Sequence, residues 1–506
     1  MRRRLLLGLS VTTALLAATS LRALAQGTPQ VQGTLRVAIG TTLNQLDPSK
    51  TTIGDEYIYV HLVFNGLSRI DPDMTVKPDL AESWKASDDL KTWTFKLREG
   101  VKFHHGRPLN SEDVVATVRR ILDPATGSRA RSNLTMIESV EATGPLEVTM
   151  KLNLPYAGFA DIFADRQLRI VPKDKIDALS THPIGTGPFM FKSWSPGDRL
   201  ELVKNPDYFE KGLPKLDGVT LRVIPEAAAR IAALESGAID ILWNLPYESV
   251  DKFKNSATIR IDSVPTPTWD GVILNNERPP FNDPRVRRAL ALTIDKEALV
   301  ELALFGQGAP TFSPLPPSHP YFNTSLKFNP PDITQARKLM AEAGYPNGFD
   351  VPIQVPQERE QRVRLGVAVR DMARAAGIRI NVERVPFASY TANVAGKAQM
   401  YVDGYFARPT VDTALYPFYH STGSWNRQLW RYNEPRVDRI LDEARRTNDD
   451  EARKKLFWEF QAVVEETVPG IIAYSMAHVN GVSRKVEGFK STPMLWLELK
   501  NVTLKP

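Results

Sequence analysis

Apolar residues recur along this chain with two periods that alternate from segment to segment. Residues 91–97, KTWTFKL, switch between polar and apolar in two-residue steps, and Thr34–Ile39 is apolar with polar interruptions. Both patterns predict strands. Residues 226–236 carry Ala229, Ala232 and Ala233 at helical spacing, stop at Gly237 and resume as a strand through Ile239, Ile241 and Leu242. This predicts a helix that delivers the chain to a sheet edge. Asp283-Pro284 opens another helix, because Asp283 accepts first-turn N–H groups and Pro284 has none to leave unpaired. Residues 362–376 read as a helix ended by Gly377, followed by a strand at Ile378–Val385. Asp450 is expected to cap a helix whose Leu456, Phe460, Val463 and Val464 share one face. Helices and strands mixed in this way predict an α/β architecture.

The N-terminus departs from these patterns. Arg2-Arg3-Arg4 precedes an interrupted apolar run from Leu5 to Ala18, and Ala23-Leu24-Ala25 follows before Gln26. A basic start, a short apolar stretch and a small-x-small end predict a cleavable signal peptide over residues 1–25, for either general or twin-arginine export. The run is too short to span a bilayer, which takes roughly 20 apolar residues. Removing this leader takes four arginines and no acid from the 64 basic and 58 acidic residues, so 60 basic residues remain and the net charge falls from +6 to +2. No Lys/Arg-rich block of the kind that grips nucleic acid is left. The absence of cysteine excludes disulfides, thiolate metal sites and a lipid-modified cysteine after the leader. A periplasmic protein is expected. With 506 residues and 38 prolines, the chain predicts two or three packed lobes built from short elements.

The sequence carries no G-x-S-x-G, H-E-x-x-H, phosphate-binding glycine loop or dinucleotide fingerprint. His104 and His105 are adjacent, and neighbours on an extended chain point apart, so they do not make a joint metal site. Residues 403–420, DGYFARPTVDTALYPFYH, concentrate Asp403, Arg408, Asp412 and His420 among five aromatic rings. This is the densest candidate site.

The order of segments resembles one family over nearly the whole mature chain: the periplasmic solute-binding proteins of ABC importers, family 5, of the dipeptide, oligopeptide and nickel type. The resemblance is carried by Ala81-Glu82-Ser83-Trp84, by residues 87–98 (SDDLKTWTFKLR), by Gly100-Val101-Lys102-Phe103-His104 and by Ser111-Glu112-Asp113-Val114. Supporting blocks are Leu46-Asp47-Pro48, residues 185–189 (GTGPF), residues 234–240 (LESGAID), and Asn276 with residues 280–287 (PFNDPRVR). The resemblance implies a two-lobed periplasmic binding protein fold, type II, of the large cluster, with an extra subdomain inserted in lobe I. Mapped here, lobe I takes residues 34–268 and 480–506, the insertion 53–183, and lobe II 269–479. Pro265-Thr266-Pro267 then marks a stiff exit from one lobe, and residues 477–481 the end of the return strand. Closure is a hinge motion, and the closed form is what a membrane permease recognises.

For peptide solutes the resemblance implies an aspartate that holds the ammonium group, on the segment after a Gly-aromatic pair. Here Gly404-Tyr405 is that pair and Asp412 is the match, with Asp403 behind it. The sequence departs from the family's acid-rich pattern by placing Ala407-Arg408-Pro409-Thr410 there. Arg408 therefore suggests an anionic group on the solute, because guanidinium grips carboxylate bidentately. Arg362 is a second candidate carboxylate anchor. For both arginines an ion pair within the protein is the alternative. Tyr405, Phe406 and Trp425 are expected on the wall of the pocket, from a set of rings that includes Tyr416, Phe418, Tyr419 and Trp430. Thr41, Thr42, Asn44, Trp243, Asn244 and Asn276 complete the expected ligand contacts, with self-satisfied turns as the alternative for the loop residues. The expected function is non-enzymatic capture of a peptide or peptide-like solute by a monomer that delivers it to permease subunits, without a cofactor. Within the family, a nickel chelate ligated by His420, an opine-like conjugate and an oligosaccharide are alternatives. A periplasmic hydrolase using Asp412 and His420, or a holder of unfolded chains, are alternatives of other classes.

Overall fold

The computed structural model describes residues 33–52 and 54–506, and the leader read in residues 1–25 lies outside them. Thr34–Ile39 buries Leu35, Val37, Ala38 and Ile39 and pairs in parallel with Gly218–Val223 and with Ile241–Leu242. Arg199–Lys204 and Phe189–Ser195 extend that sheet antiparallel. A second group of strands, Phe349–Pro356, Ile378–Val385 and Met400–Tyr405, is parallel; the first two alternate apolar and polar residues and bury Val351, Ile353, Val355, Ile378 and Ile380, whereas Met400–Tyr405 is buried through Asp403.

Two long antiparallel strands join these groups. Ile259–Leu274 and Ile471–Ser483 pair from Ile259 opposite Ser483 to Val272 opposite Ile471. At one end Ile471–Ser483 also pairs with Ile241–Leu242, and at the other Trp269–Leu274 pairs with Met400–Tyr405. The pair therefore belongs to both halves of a two-lobed α/β molecule. Pro265 and Pro267 lie inside Ile259–Leu274, where they remove two ladder donors and the register slips before Trp269. Residues 477–481, read as the end of the return strand, sit in its interior, because the ladder continues to Ser483.

Residues 67–170 supply a core of their own. Ala81–Ala86, Thr92–Leu97, Glu147–Leu152 and Ile137–Gly144 form a four-stranded antiparallel sheet backed by the helix Ser111–Leu122. The two-residue alternation at 91–97 turns Trp93, Phe95 and Leu97 inward as expected. Asn110 and Asp113 cap the helix reciprocally, which satisfies two first-turn donors.

Most predicted helices lie where their signals placed them, among them Ala227–Glu235, Pro284–Ala291 capped by Asp283, and Glu360–Ala373. One cap moves. Asp449, not Asp450, caps Asp450–Thr467, with its carboxylate accepting the Ala452 N–H at 2.7 Å. Asp450 is already helical and turns its carboxylate to Tyr321 and Arg453.

Candidate functional site

The strand Met400–Tyr405 ends at the junction of the two halves, and the next helix, Val411–Tyr419, begins with a capping box between Thr410 and Thr413. The connecting loop is pressed into the opposite half. Ala407 is fully buried in a cluster with Ile70, Ala164, Met494 and Trp496, and its N–H donates to Thr268 Oγ1 at 3.1 Å. Phe406 lies edge-on to Tyr57 at 6.4 Å and covers Gly54. The two halves are in contact through this loop.

Beside the loop lies a cavity of about 230 Å³. Tyr405, Phe406, Arg408 and Trp425 wall it from one half, and Tyr57, Arg129, Asn133, Arg166 and Gln167 from the other. Four of the residues expected from the sequence are thus brought together. Tyr405 packs edge-on to Trp425 at 5.0 Å and to Phe418 at 4.9 Å, so Phe418 supports the wall from behind. The cavity lining includes no aspartate or glutamate. Arg408 makes no hydrogen bond or ion pair among the described residues. Burial, and then the like charge of Arg166, hold its guanidinium below the ordinary value. Of the two roles open for Arg408, the structure shows no ion pair within the protein.

Asp412 is differently placed. Its carboxylate accepts Arg445 Nε at 2.7 Å, Arg445 Nη2 at 2.9 Å and the Tyr156 hydroxyl at 2.7 Å. Its charge is met within the protein, so the ammonium role expected for it has no uncompensated carboxylate there. Arg362 is likewise engaged: Nε donates to Asp270 Oδ1 at 2.8 Å, Nη1 to Asp403 Oδ1 at 2.6 Å and Nη2 to the Gly404 carbonyl at 2.9 Å. Burial opposes the Arg362 charge, but Asp270 and Asp403 outweigh it and hold the guanidinium above its ordinary value. Arg362 thus forms the ion pair named as its alternative.

The remaining expected contacts serve the fold. The Thr41 N–H and Oγ1 donate to Asp55 Oδ2 at 2.8 and 2.6 Å, Thr42 Oγ1 accepts the Gly197 N–H at 2.9 Å, and the Asn44 N–H donates to Glu56 Oε1 at 3.2 Å. Trp243 is 2% exposed and packs edge-on to His478, while Asn244 holds a left-handed turn with its N–H on Asn480 Oδ1. Asn276 Nδ2 donates to the Leu274 and Pro469 carbonyls. None of these six lines the cavity. His420 stacks on Tyr416 at 4.2 Å, and its Nδ1 accepts the Thr422 N–H at 3.1 Å. It also lies off the cavity wall, and no group of three or more metal-ligating side chains occurs among the described residues.

Sequence reasoning missed Tyr57, Arg129 and Arg166. For Arg166 the available signal was residues 159–171, FADIFADRQLRIV, where Arg166 and Arg169 interrupt a largely apolar stretch. Such residues need a reason to be buried.

A second chamber of about 350 Å³ adjoins the Asp412–Arg445 pair, between Asp161 on one side and His319, Tyr321, Asp450 and Arg453 on the other. The Asp161 carboxylate has no hydrogen-bond or ion-pair partner among the described residues. Burial pushes it up to about 6, with Arg453 opposing and Asp450 adding to the shift. A carboxyl raised in the folded state loses stability as pH climbs from the ordinary range to the raised value, and the penalty then stays constant. Asp161→Asn is therefore expected to raise the melting temperature at pH 7.5 by about 2–4 °C and to change nothing at pH 3.5. Differential scanning fluorimetry at the two pH values checks this, and an equal shift at both refutes it.

Comparison with known proteins places this geometry. A family profile described as bacterial extracellular solute-binding proteins, family 5 Middle, matches residues 75–426. The glutathione-binding protein GsiB of Escherichia coli K12 is 30% identical over 471 residues, covering 90% of this chain and 92% of GsiB. Among solved structures, the periplasmic binding protein AgaA of A. tumefaciens R10, in complex with agropinic acid, matches with a TM-score of 0.80 at 27% identity, over 94% of this chain and 99% of AgaA. The DppA periplasmic binding protein of Helicobacter pylori, in complex with the peptide STSA, matches with a TM-score of 0.81 at 25% identity, over 94% and 99%. The family resemblance read from residues 81–114 and the two-lobed fold class are both borne out.

Proposed function

The chain belongs to the bacterial extracellular solute-binding proteins of family 5, and we propose from that premise that it captures a peptide or peptide-like solute in the cavity between its lobes. The observation that carries this reading is the cavity itself, which is walled by rings from both halves and closed by the loop that buries Ala407. Capture between lobes needs an apolar wall and a few convergent polar groups, and the cavity supplies both. In the same reading the leader directs the chain to the periplasm. Lobe I takes residues 34–268 and 480–506, lobe II takes 269–479, and a monomer presents the closed form to the permease of an ABC importer.

A hydrolytic role has little to work with. Thr52, Ser132 and Thr413 are the aliphatic hydroxyls in the lining, and no histidine, lysine or carboxylate lines the cavity beside them. Asp412 and His420, the pair considered for hydrolysis, are held by Arg445 and by Thr422, not by each other. The agropinic acid complex of AgaA favours an opine-like conjugate as the second reading, because the cavity is basic.

Calorimetric titration of the mature protein with di- to tetrapeptides, γ-linked and N-acylated peptides included, is expected to show one site per chain. Heat from oligosaccharides or nickel–histidine, and none from any peptide or conjugate, refutes the solute class. Trp425→Ala is expected to weaken every bound solute by roughly 10-fold, since an aromatic wall contributes apolar contact without regard to charge. Unchanged affinity would remove Trp425 from the wall.

A further inference from the structure

We infer that the solute carries at least two carboxylates, one each for Arg166 and Arg408, and that it needs no free ammonium group. This rests on the reading that the cavity between the lobes is the capture site.

Arg166 carries the inference furthest. It is 4% exposed, and its Nη1 is buried without an acceptor. Its guanidinium lies over the Tyr57 ring, 3.8 Å from the centroid, which fixes its plane while leaving its N–H edge free. A buried guanidinium N–H with no acceptor is costly, and the cost is recovered when an acceptor enters. Arg408 projects into the same cavity from the other half, also without a partner, and the two cations repel. Asp165 stands behind this wall, but its Oδ1 takes the Gln167 N–H at 2.8 Å and it forms no ion pair with either arginine.

Other arginines withdrawn from solvent find acceptors within the chain: carboxylates for Arg362, Arg445 and Arg120, and backbone carbonyls for Arg169 and Arg287. Arg166 and Arg408 have neither among the described residues, with Arg129 at the rim of the cavity as a third, exposed cation. One carboxylate satisfies one guanidinium and leaves the other buried and uncompensated. Two carboxylates satisfy both, through bidentate pairs of the geometry guanidinium favours. No acidic side chain in the lining offers an ammonium group a counter-charge. The solute class is thus a dicarboxylate of peptide size, such as a γ-glutamyl peptide or an N-dicarboxylic acyl amino acid.

The test compares three probes by calorimetry on the mature protein: γ-glutamyl-alanine with two carboxylates and an ammonium, N-succinyl-alanine with two carboxylates and none, and Ala-Ala with one of each. Both dicarboxylates are expected to bind roughly 10–100-fold more tightly than Ala-Ala. Arg166→Gln and Arg408→Gln are each expected to narrow that ratio by about 10-fold or more, with melting temperatures confirming that the variants fold. If Ala-Ala binds as well as N-succinyl-alanine, or if the arginine variants leave the ratio unchanged, the dicarboxylate inference falls and capture in the cavity stands. If no probe binds the wild-type protein, the inference falls. If Trp425→Ala then also leaves binding of other peptides untouched, the cavity reading falls with it.

Discussion

Replacing Arg362 by leucine is expected to cost about 3–5 kcal/mol of stability, because it strands two carboxylates that are buried around it. Asp270 is 2% and Asp403 13% exposed in their side chains, and both bind this one guanidinium. Asp270 lies on the crossing strand Ile259–Leu274 where the register slips, and Asp403 on the neighbouring strand Met400–Tyr405. Arg362 comes from the first turns of Glu360–Ala373 and closes the triangle. The packing is tight enough to dictate a glycine: a Cβ on Gly404 would stand 2.0 Å from Asp270 Oδ1. Arg362→Lys keeps a charge but cannot reach three acceptors at once, so an intermediate loss is expected. Urea unfolding followed by tryptophan fluorescence measures both. An unchanged midpoint with abolished solute binding would restore Arg362 to the role of a carboxylate anchor.

Arg362 also shows where sequence reading stops. The chain order of strands, the Asp283-Pro284 helix start and the alternation at 91–97 were legible because each depends on residues close in sequence. Tyr405, Phe406, Arg408 and Trp425 were legible for a similar reason: a strand end, its loop and the following helix place them near one another. The role of a charged residue is set by its partner, and partners lie far away in sequence. Arg362 meets Asp270 across 92 positions, and Asp412 meets Tyr156 across 256. No local pattern distinguishes an arginine waiting for a solute from one already neutralised. Thr41 and Asn44 bond acids only 14 and 12 positions on, Asp55 and Glu56, whereas Thr42 takes the Gly197 N–H across 155 positions, so even these loop residues were not all locally satisfied. Arg166 escaped notice because its partner ring, Tyr57, comes from a separate helix, Gly54–Val63.

Cutting the contact between Asp412, Arg445 and Tyr156 is expected to open the protein and to weaken every solute alike. Tyr156 belongs to the core around the four-stranded sheet, whereas Asp412 sits on Val411–Tyr419 in the other half. Arg445 stands between them. It grips Asp412 with two N–H groups, lies 3.2 Å from the centroid of the Tyr416 ring, and accepts the Ala157 N–H on its own carbonyl at 2.7 Å. Arg445→Ala leaves the Asp412 carboxylate facing Tyr156 without a counter-charge, which disfavours the closed form by about 3 kcal/mol. Where that form is the binding-competent one, apparent affinity falls with its population, roughly 100-fold. The ratio between N-succinyl-alanine and Ala-Ala is unaffected, since neither probe touches the pair. Small-angle scattering of the ligand-free variant is expected to show a larger radius of gyration than wild type. Asp412→Asn separates the latch from the amine clamp expected by family resemblance. A latch variant weakens Ala-Ala and N-succinyl-alanine equally. A clamp variant weakens Ala-Ala and spares N-succinyl-alanine, which has no ammonium to lose, and that result would overturn the latch.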